Sequence, residues 1–152
     1  MYRIKSFKNG LKVITALMPH MESVAIGLWI GVGGRYEDKK SCGISHLIEH
    51  MLFKGTESQT ASMLKESIEG VGGSFNAFTG EEETCYFVKL PSDYSELGLD
   101  ILSDMVLNPK LDPDELEKEK HVICEEIKMY MDQPAHRAFD ILSHSMWPNH
   151  PL

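Results

Sequence analysis

Apolar and polar positions alternate in two short stretches near the start of the chain, "YRIKSF" and "LKVITALM", on either side of "KNG". A period of two marks a half-buried strand, and Asn9-Gly10 supplies the positive φ angles of a tight turn, so the two stretches are predicted to pair as a hairpin. "SVAIGLWIGVGG", from Ser23 to Gly34, is instead a long apolar run rich in Val, Ile and Trp. Its length and glycines predict a central strand that comes close to another backbone. After the polar stretch "GGRYEDKKSCG" the period changes: Ile44, Leu47, Ile48, Met51 and Leu52 recur at spacings of three and four and predict a helix. "SQTASMLKESIEGVGG" predicts a second helix, ended by Gly72-Gly73. "SFNAFTG" and "TCYFVKLP" predict a hairpin of two strands joined by the acidic run Glu81–Glu83. "SDYSELGLDILSDMVLNP" opens on a Ser-Asp cap, carries Leu97, Ile101, Leu102, Met105 and Val106, and stops at Pro109. The longest predicted helix, "DPDELEKEKHVICEEIKMYMDQ", has Asp112 as its cap, Pro113 at its first position and Pro134 beyond it. "AHRAFDILSHSMW" is a last helix. Strands, two helices, a hairpin and three helices add up to an α+β sandwich, with helices packed on a mostly antiparallel sheet.

Composition changes this picture little. The 152 residues are 42% apolar and 25% charged, as in an ordinary globular domain with one core. A net charge of −8 and a pI near 5.3, with no basic stripe, argue against a nucleic-acid or anionic-membrane surface. No apolar run approaches the roughly 18 residues of a membrane span. The start, "MYRIKSFKNG", lacks the apolar segment and cleavage pattern of a signal peptide. Cys42, Cys85 and Cys124 form no C-x-x-C and no disulfide framework. They are expected to be reduced thiols, two buried and one in a loop, in a cytoplasmic compartment.

The chemistry concentrates in "GISHLIEHMLFKGT". His46 and His50 are four apart, hence neighbours on one helix face, and can close on a single ion without distorting the backbone. Zinc takes imidazole nitrogen at about 2.0–2.1 Å and, in catalytic sites, three protein ligands plus water. Glu49 overlooks the same face but cannot comfortably share the ion, which suits a general base acting on a metal-activated water. The order H-x-x-E-H is the inverzincin motif. A third ligand must come from another element. On the longest helix Leu116, Ile123, Ile127 and Tyr130 form an apolar stripe, and Glu119 and Glu126, seven apart, lie beside it. Glu125 falls on the far side, and Asp114, Glu115 and Glu117 belong to the first turns, where they complement the helix dipole. One of Glu119 and Glu126 would be a ligand and the other an acid orienting a histidine N–H; spacing leaves open which is which. His20, His121, His136, His144 and His150 show no ligand spacing and read as surface or satisfied residues. Met51, Met105 and Met129 read as core fillers, and Trp29 and Trp147 as packing anchors.

With "HLIEHMLFKGT", "GGSFNAFTGEEETCYF" and "EKEKHVICEEI" in that order, the chain resembles the insulinase/pitrilysin family of zinc peptidases. It is similar especially to bacterial relatives of the mitochondrial processing peptidase β subunit. The likeness runs from "NGLKVI" to the closing "PNHPL". It implies one Zn2+ per chain held by His46, His50 and Glu126, with Glu49 as the catalytic base and Glu119 as the acid one heptad before the third ligand. It also implies that "FNAFT" is an edge strand whose backbone pairs with a peptide substrate, with Asn76, Ala77, Phe78 and Thr79 in those places. Phe53 is either a pocket wall or part of the core. Gly80 stands where the family usually has Ser, and the Glu81–Glu83 run is unusually acidic, which bears on side-chain preference near the site.

In such enzymes an Arg/Tyr pair from a second, homologous half contributes to the site, and the two halves enclose the substrate as a clamshell. No position here matches that pair. Residues 1–152 are therefore expected to be an incomplete N-terminal zinc-binding domain. Its partners would be a peptide and a second half, a homologous subunit or another copy of the chain. The activity implied is zinc-dependent endopeptidase action on short or unfolded peptides. The alternative is a non-catalytic subunit that holds peptides, and the intact H-x-x-E-H with its third carboxylate favours the enzyme.

Overall fold

The computed structural model describes residues 2–148. His150 and most of "PNHPL" lie outside the described residues. The first hairpin forms as predicted: β1 (Tyr2–Ser6) and β2 (Lys12–Ala16) run antiparallel, with Tyr2 opposite Ala16. Its turn differs. Phe7 N–H donates to Leu11 O at 2.8 Å, Gly10 N–H donates to Phe7 O at 3.0 Å, and Gly10 alone takes a positive φ, 92°. A longer connection closed by one left-handed glycine replaces a turn with two such residues.

A second sheet has the order β3-β5-β4, with β3 (Ser23–Ile30), β4 (Ser74–Thr79) and β5 (Thr84–Pro91) all antiparallel. The central strand is thus β5, not β3. The apolar run in β3 does not mark burial on both faces, because its residues alternate between half-buried and exposed, whereas Thr84, Cys85 and Tyr86 of β5 are buried in succession. Among the described residues β3 pairs with β5 alone. The predicted close approach does occur, just beyond the strand: a Cβ on Gly33 would lie 2.3 Å from Gly80 O. Only a residue without a side chain lets that segment lie against the β4–β5 connection.

The five helices are α1 (Ile44–Leu52), α2 (Ala61–Glu69), α3 (Ser95–Leu107), α4 (Pro113–Met131) and α5 (Pro134–Met146). Their starts follow local chemistry. Thr60 caps α2, its hydroxyl accepting from Met63 N–H at 3.3 Å, so this helix is shorter than its polar flanks suggested. Asp112 caps α4 by accepting from Asp114 and Glu115 N–H, and Pro113 occupies the first turn as predicted. Ser92 and Asp93 make a short 3₁₀ turn rather than a side-chain cap, and α3 begins after it. Pro134 lies beyond the end of α4, as predicted, and also opens α5, since a missing N–H costs nothing in a first turn.

One face of the three-stranded sheet carries the core. Tyr86, Val88 and Leu90 of β5 pack with Leu52 of α1, Leu64 and Ile68 of α2, and Ile101, Leu102 and Met105 of α3, flanked by Val24, Ile26, Leu28 and Phe75. This is the α+β arrangement, helices on an antiparallel sheet. Several packing expectations are corrected. Met51 and Met105 are core residues, but Met129 is exposed. Trp29 is 65% exposed on the sheet's other face, where it meets Phe78 edge-on, and Trp147 is also exposed. Cys85 is the one buried thiol, while Cys42 and Cys124 are exposed. A hydrophobic side chain is buried only where a neighbouring element covers it, which local sequence does not report. No helix among the described residues is long and apolar enough to cross a membrane.

Leu64, fully buried, and Phe139, exposed on α5, set a contrast. Urea unfolding of Leu64→Ala is expected to show a loss of about 2–5 kcal/mol. Phe139→Ala should stay within about 0.5 kcal/mol of the parent chain.

Candidate metal centre

Gly43, at the start of α1, has no side chain with which to cap it. Glu37, from the preceding loop, does this instead: its carboxylate accepts from Gly43 N–H at 2.5 Å and from Ser45 N–H at 2.8 Å. Burial alone would raise the Glu37 carboxyl, but the bonds from Ser45 and Gly43 outweigh it and hold it below its ordinary value. The cap fixes the first turn of the helix on which His46 follows. Glu37 lies outside any local spacing pattern, and so its role is invisible in the sequence.

His46 and His50 face each other from successive turns, with Nε2 atoms 3.2 Å apart and ring planes nearly perpendicular. Glu126 Oε2, from α4, lies 3.7 Å from His46 Nε2 and 3.6 Å from His50 Nε2. Among the described residues this is the one set of three His, Cys, Asp or Glu side chains poised for a common ion. A tetrahedral ion at about 2.0–2.1 Å from its ligands holds them about 3.3–3.4 Å apart, so the observed triangle matches one face of a zinc tetrahedron. The donor set, two imidazoles and a carboxylate, is also one that zinc favours, and all three side chains are part-exposed, leaving room for a further ligand.

The heptad separating Glu119 from Glu126 sets them at different depths. Glu119 is the buried residue of α4, 5% exposed. Its Oε2 lies 3.0 Å from His50 Nδ1 and its Oε1 2.6 Å from Lys54 Nζ. Burial pushes the Glu119 carboxyl up, but Lys54 and His50 together bring it below its ordinary value. An ionised carboxylate only accepts, so Nδ1 of His50 carries the proton and Nε2 presents a lone pair to the triangle. The apolar stripe expected to be buried along α4 is open at its far end, where Ile127 and Tyr130 are exposed; a carboxylate, that of Glu119, and not a hydrocarbon is the buried side chain of this helix. Glu125 is solvated and paired with Lys128. Lys54 is a further member of this centre. Its place four residues after His50 is the available signal, though α1 ends before it.

Glu49 projects toward β4, where Thr79 Oγ1 donates to its Oε2 at 2.6 Å. Beneath it the buried Tyr86 phenol is pushed up by burial and by the Glu49 charge. Among the described residues β4 is an edge strand, pairing with β5 alone. Ala77 and Thr79 face inward, Asn76 and Phe78 outward, and Asn76 Oδ1 accepts from Ala77 N–H at 2.9 Å. Phe78 meets Trp29 and Phe87 on the outer face. Phe53 packs on Phe75 and Tyr86 at the core margin. His20, His121, His136 and His144 are exposed. An apolar cleft of about 520 Å³, lined by Ile30, Val32, Ile44, Ile48, Leu52 and Val106 among others, lies on the face of α1 away from the histidines and holds none of the three candidate ligands.

Helices presenting an inverted histidine–glutamate motif and a distant carboxylate, packed on an antiparallel sheet, describe a domain of the metallopeptidase class. The chain belongs to the insulinase family (Peptidase family M16), whose pattern matches residues 12–152. A Bacillus subtilis protein named as the uncharacterized zinc protease YmxG is 45% identical over 145 residues, covering 95% of this chain and 36% of that protein. A Rickettsia felis protein named as an uncharacterized zinc protease is 40% identical over 99% of this chain and 37% of its own length. In structure, the chain is similar to a protease from Helicobacter pylori, with a TM-score of 0.84 and 27% identity over 90% of this chain and 33% of that one. The chain thus spans about a third of the length of the relatives it matches.

Two outcomes are expected. Glu119→Gln should weaken zinc binding about 10–100-fold, read by competition with a chromophoric chelator. Glu37→Ala should lower stability at pH 7 by about 1 kcal/mol. Because the folded pKa of Glu37 is depressed, its contribution is present above the ordinary value of 4.5 and is lost as the pH falls through the lower folded value. Urea unfolding at pH 7 and in acid should therefore show the gap between variant and parent closing in acid.

Proposed function

We propose that this chain is the metal-bearing region of a zinc metalloendopeptidase acting on short or unfolded peptides. The observation that carries this reading is the triangle of His46 Nε2, His50 Nε2 and Glu126 Oε2, with edges of 3.2–3.7 Å. His46, His50 and Glu126 hold one Zn2+, and Glu119 keeps the His50 ring in the tautomer that binds it. A bound zinc ion would supply Lewis-acid polarisation of a carbonyl and a lowered pKa for water. Glu49 accepts the proton of the attacking water and returns it to the leaving amine. The open edge of β4, over Asn76, Ala77, Phe78 and Thr79, receives the peptide as an added strand, its main chain supplying hydrogen bonds and alternate side chains meeting the two faces. Phe53, against the core, supports this wall through Phe75.

The length covered in the relatives supports a further part of the proposal. Residues 1–152 act as an N-terminal zinc-binding domain, and full activity requires a second half or homologous subunit that closes over the peptide and supplies oxyanion donors. A subunit that merely holds peptides would need the β4 edge but not three ligands and a base.

Metal analysis of the purified chain is expected to find about one zinc per chain, lost in His50→Ala. Glu49→Gln should keep the zinc and lower cleavage of a fluorogenic peptide by about 10²–10⁴-fold. A parent chain that takes up no zinc would overturn the assignment.

A further inference from the structure

We infer that Thr79 is the positioning residue of Glu49, a hydroxyl on the β4 edge strand that holds one carboxylate oxygen in place and so ties the alignment of the base to the strand beside it. This rests on the reading of Glu49 as the base. The contact is short, 2.6 Å from Thr79 Oγ1 to Glu49 Oε2, and spans 30 residues of sequence. The direction of the proton follows from the neighbours. Thr84 stands directly opposite Thr79 in the β4–β5 register, and its own hydroxyl donates to Val32 O at 3.0 Å. Thr84 Oγ1 is 3.5 Å from Thr79 Oγ1, the outer limit of a hydrogen bond. With the Thr84 proton committed to a backbone carbonyl, the Thr79 proton is free for the carboxylate, which can only accept. Thr79 therefore occupies Oε2 of Glu49 and leaves Oε1 to receive a proton.

The rotamer of Thr79 is restricted by its branched Cβ, and Thr84 is buried, so the hydroxyl has a fixed origin. A glutamate on a helix surface has three rotatable side-chain bonds, and a single charge-assisted hydrogen bond from a rigid strand selects among its rotamers. Thr79 does not touch His46, His50 or Glu126 in the hydrogen-bond pattern, which separates its role from that of a metal-site residue.

The test uses Thr79→Val, which keeps shape and removes the hydroxyl, and Thr79→Ser, which restores it. A double-mutant cycle with Glu49→Ala, read by thermal unfolding of the metal-free chain, needs no activity. Thr79→Val is expected to lower the midpoint in the parent and leave it nearly unchanged when Glu49 is already Ala, with Thr79→Ser close to the parent. Equal shifts in both backgrounds would overturn the link. Zinc affinity of Thr79→Val is expected to stay within about threefold of the parent, while kcat for peptide hydrolysis falls about 10²-fold at near-constant KM and recovers in Thr79→Ser. A rise in KM at unchanged kcat would overturn the positioning role and leave Thr79 as a peptide contact. If the zinc-loaded parent cleaves no peptide even when joined by the second half that full activity requires, the peptidase reading fails, and the unfolding cycle still decides the Thr79–Glu49 link.

Discussion

Glu119 divides its two oxygens between Lys54 and His50, and the rest of the centre depends on that buried contact. It draws α4 against the end of α1 at the point where a hydrocarbon side chain would ordinarily sit. A buried carboxylate with both oxygens bonded is tolerable, because the Lys54 cation compensates its charge and the His50 N–H satisfies its second oxygen. The contact therefore fixes the separation of the two helices. Glu126, two turns further along α4, is carried by the same docking to within 3.7 Å of both histidine nitrogens. The same carboxylate that joins the helices also orients the His50 ring, so helix packing and imidazole orientation share one residue.

The opposite wall of the site is built by the sheet. β5, buried on both faces at its start, holds β4 in register and leaves its far edge open. Gly33 lets the chain after β3 lie against Gly80 and Glu81, which braces the connection between the two strands. Thr79 and Thr84 then stand opposite each other at the end of the hairpin, next to Glu49. The candidate ligands come from helices and Glu49 is met by a strand, so the two parts of the proposed site are supported by different layers of one core.

Much of this was legible along the chain. The two hairpins, the five helices and the Asp112-Pro113 start of α4 follow from local rules: a period of two or near 3.6, a capping side chain, a proline in a first turn. The H-x-x-E-H spacing is equally local, because four residues on a helix bring two imidazoles to one face. Pairing Glu49 with Thr79, or His50 with Glu119, has no such basis. These contacts join residues 30 and 69 positions apart, and no periodicity connects them. The errors have the same origin. Trp29 and Met129 look like core residues by type, and β3 looks central by composition, but burial is decided by what another element covers.

The sequence by itself determined the elements, the histidine pair and the set of acids from which a third ligand could come, because helical and strand geometry is dictated by residues within a few positions of one another. It did not decide between Glu119 and Glu126 on spacing, which leaves both acids beside the same stripe. The family resemblance assigns the ligand to Glu126, and the packing of α4 on α1 sets the two acids physically apart, placing one carboxylate in a buried bond to Lys54 and His50 and the other, part-exposed, across from two imidazole nitrogens. The reason is that burial and ligand distance are properties of two surfaces brought together, and neither surface carries them alone.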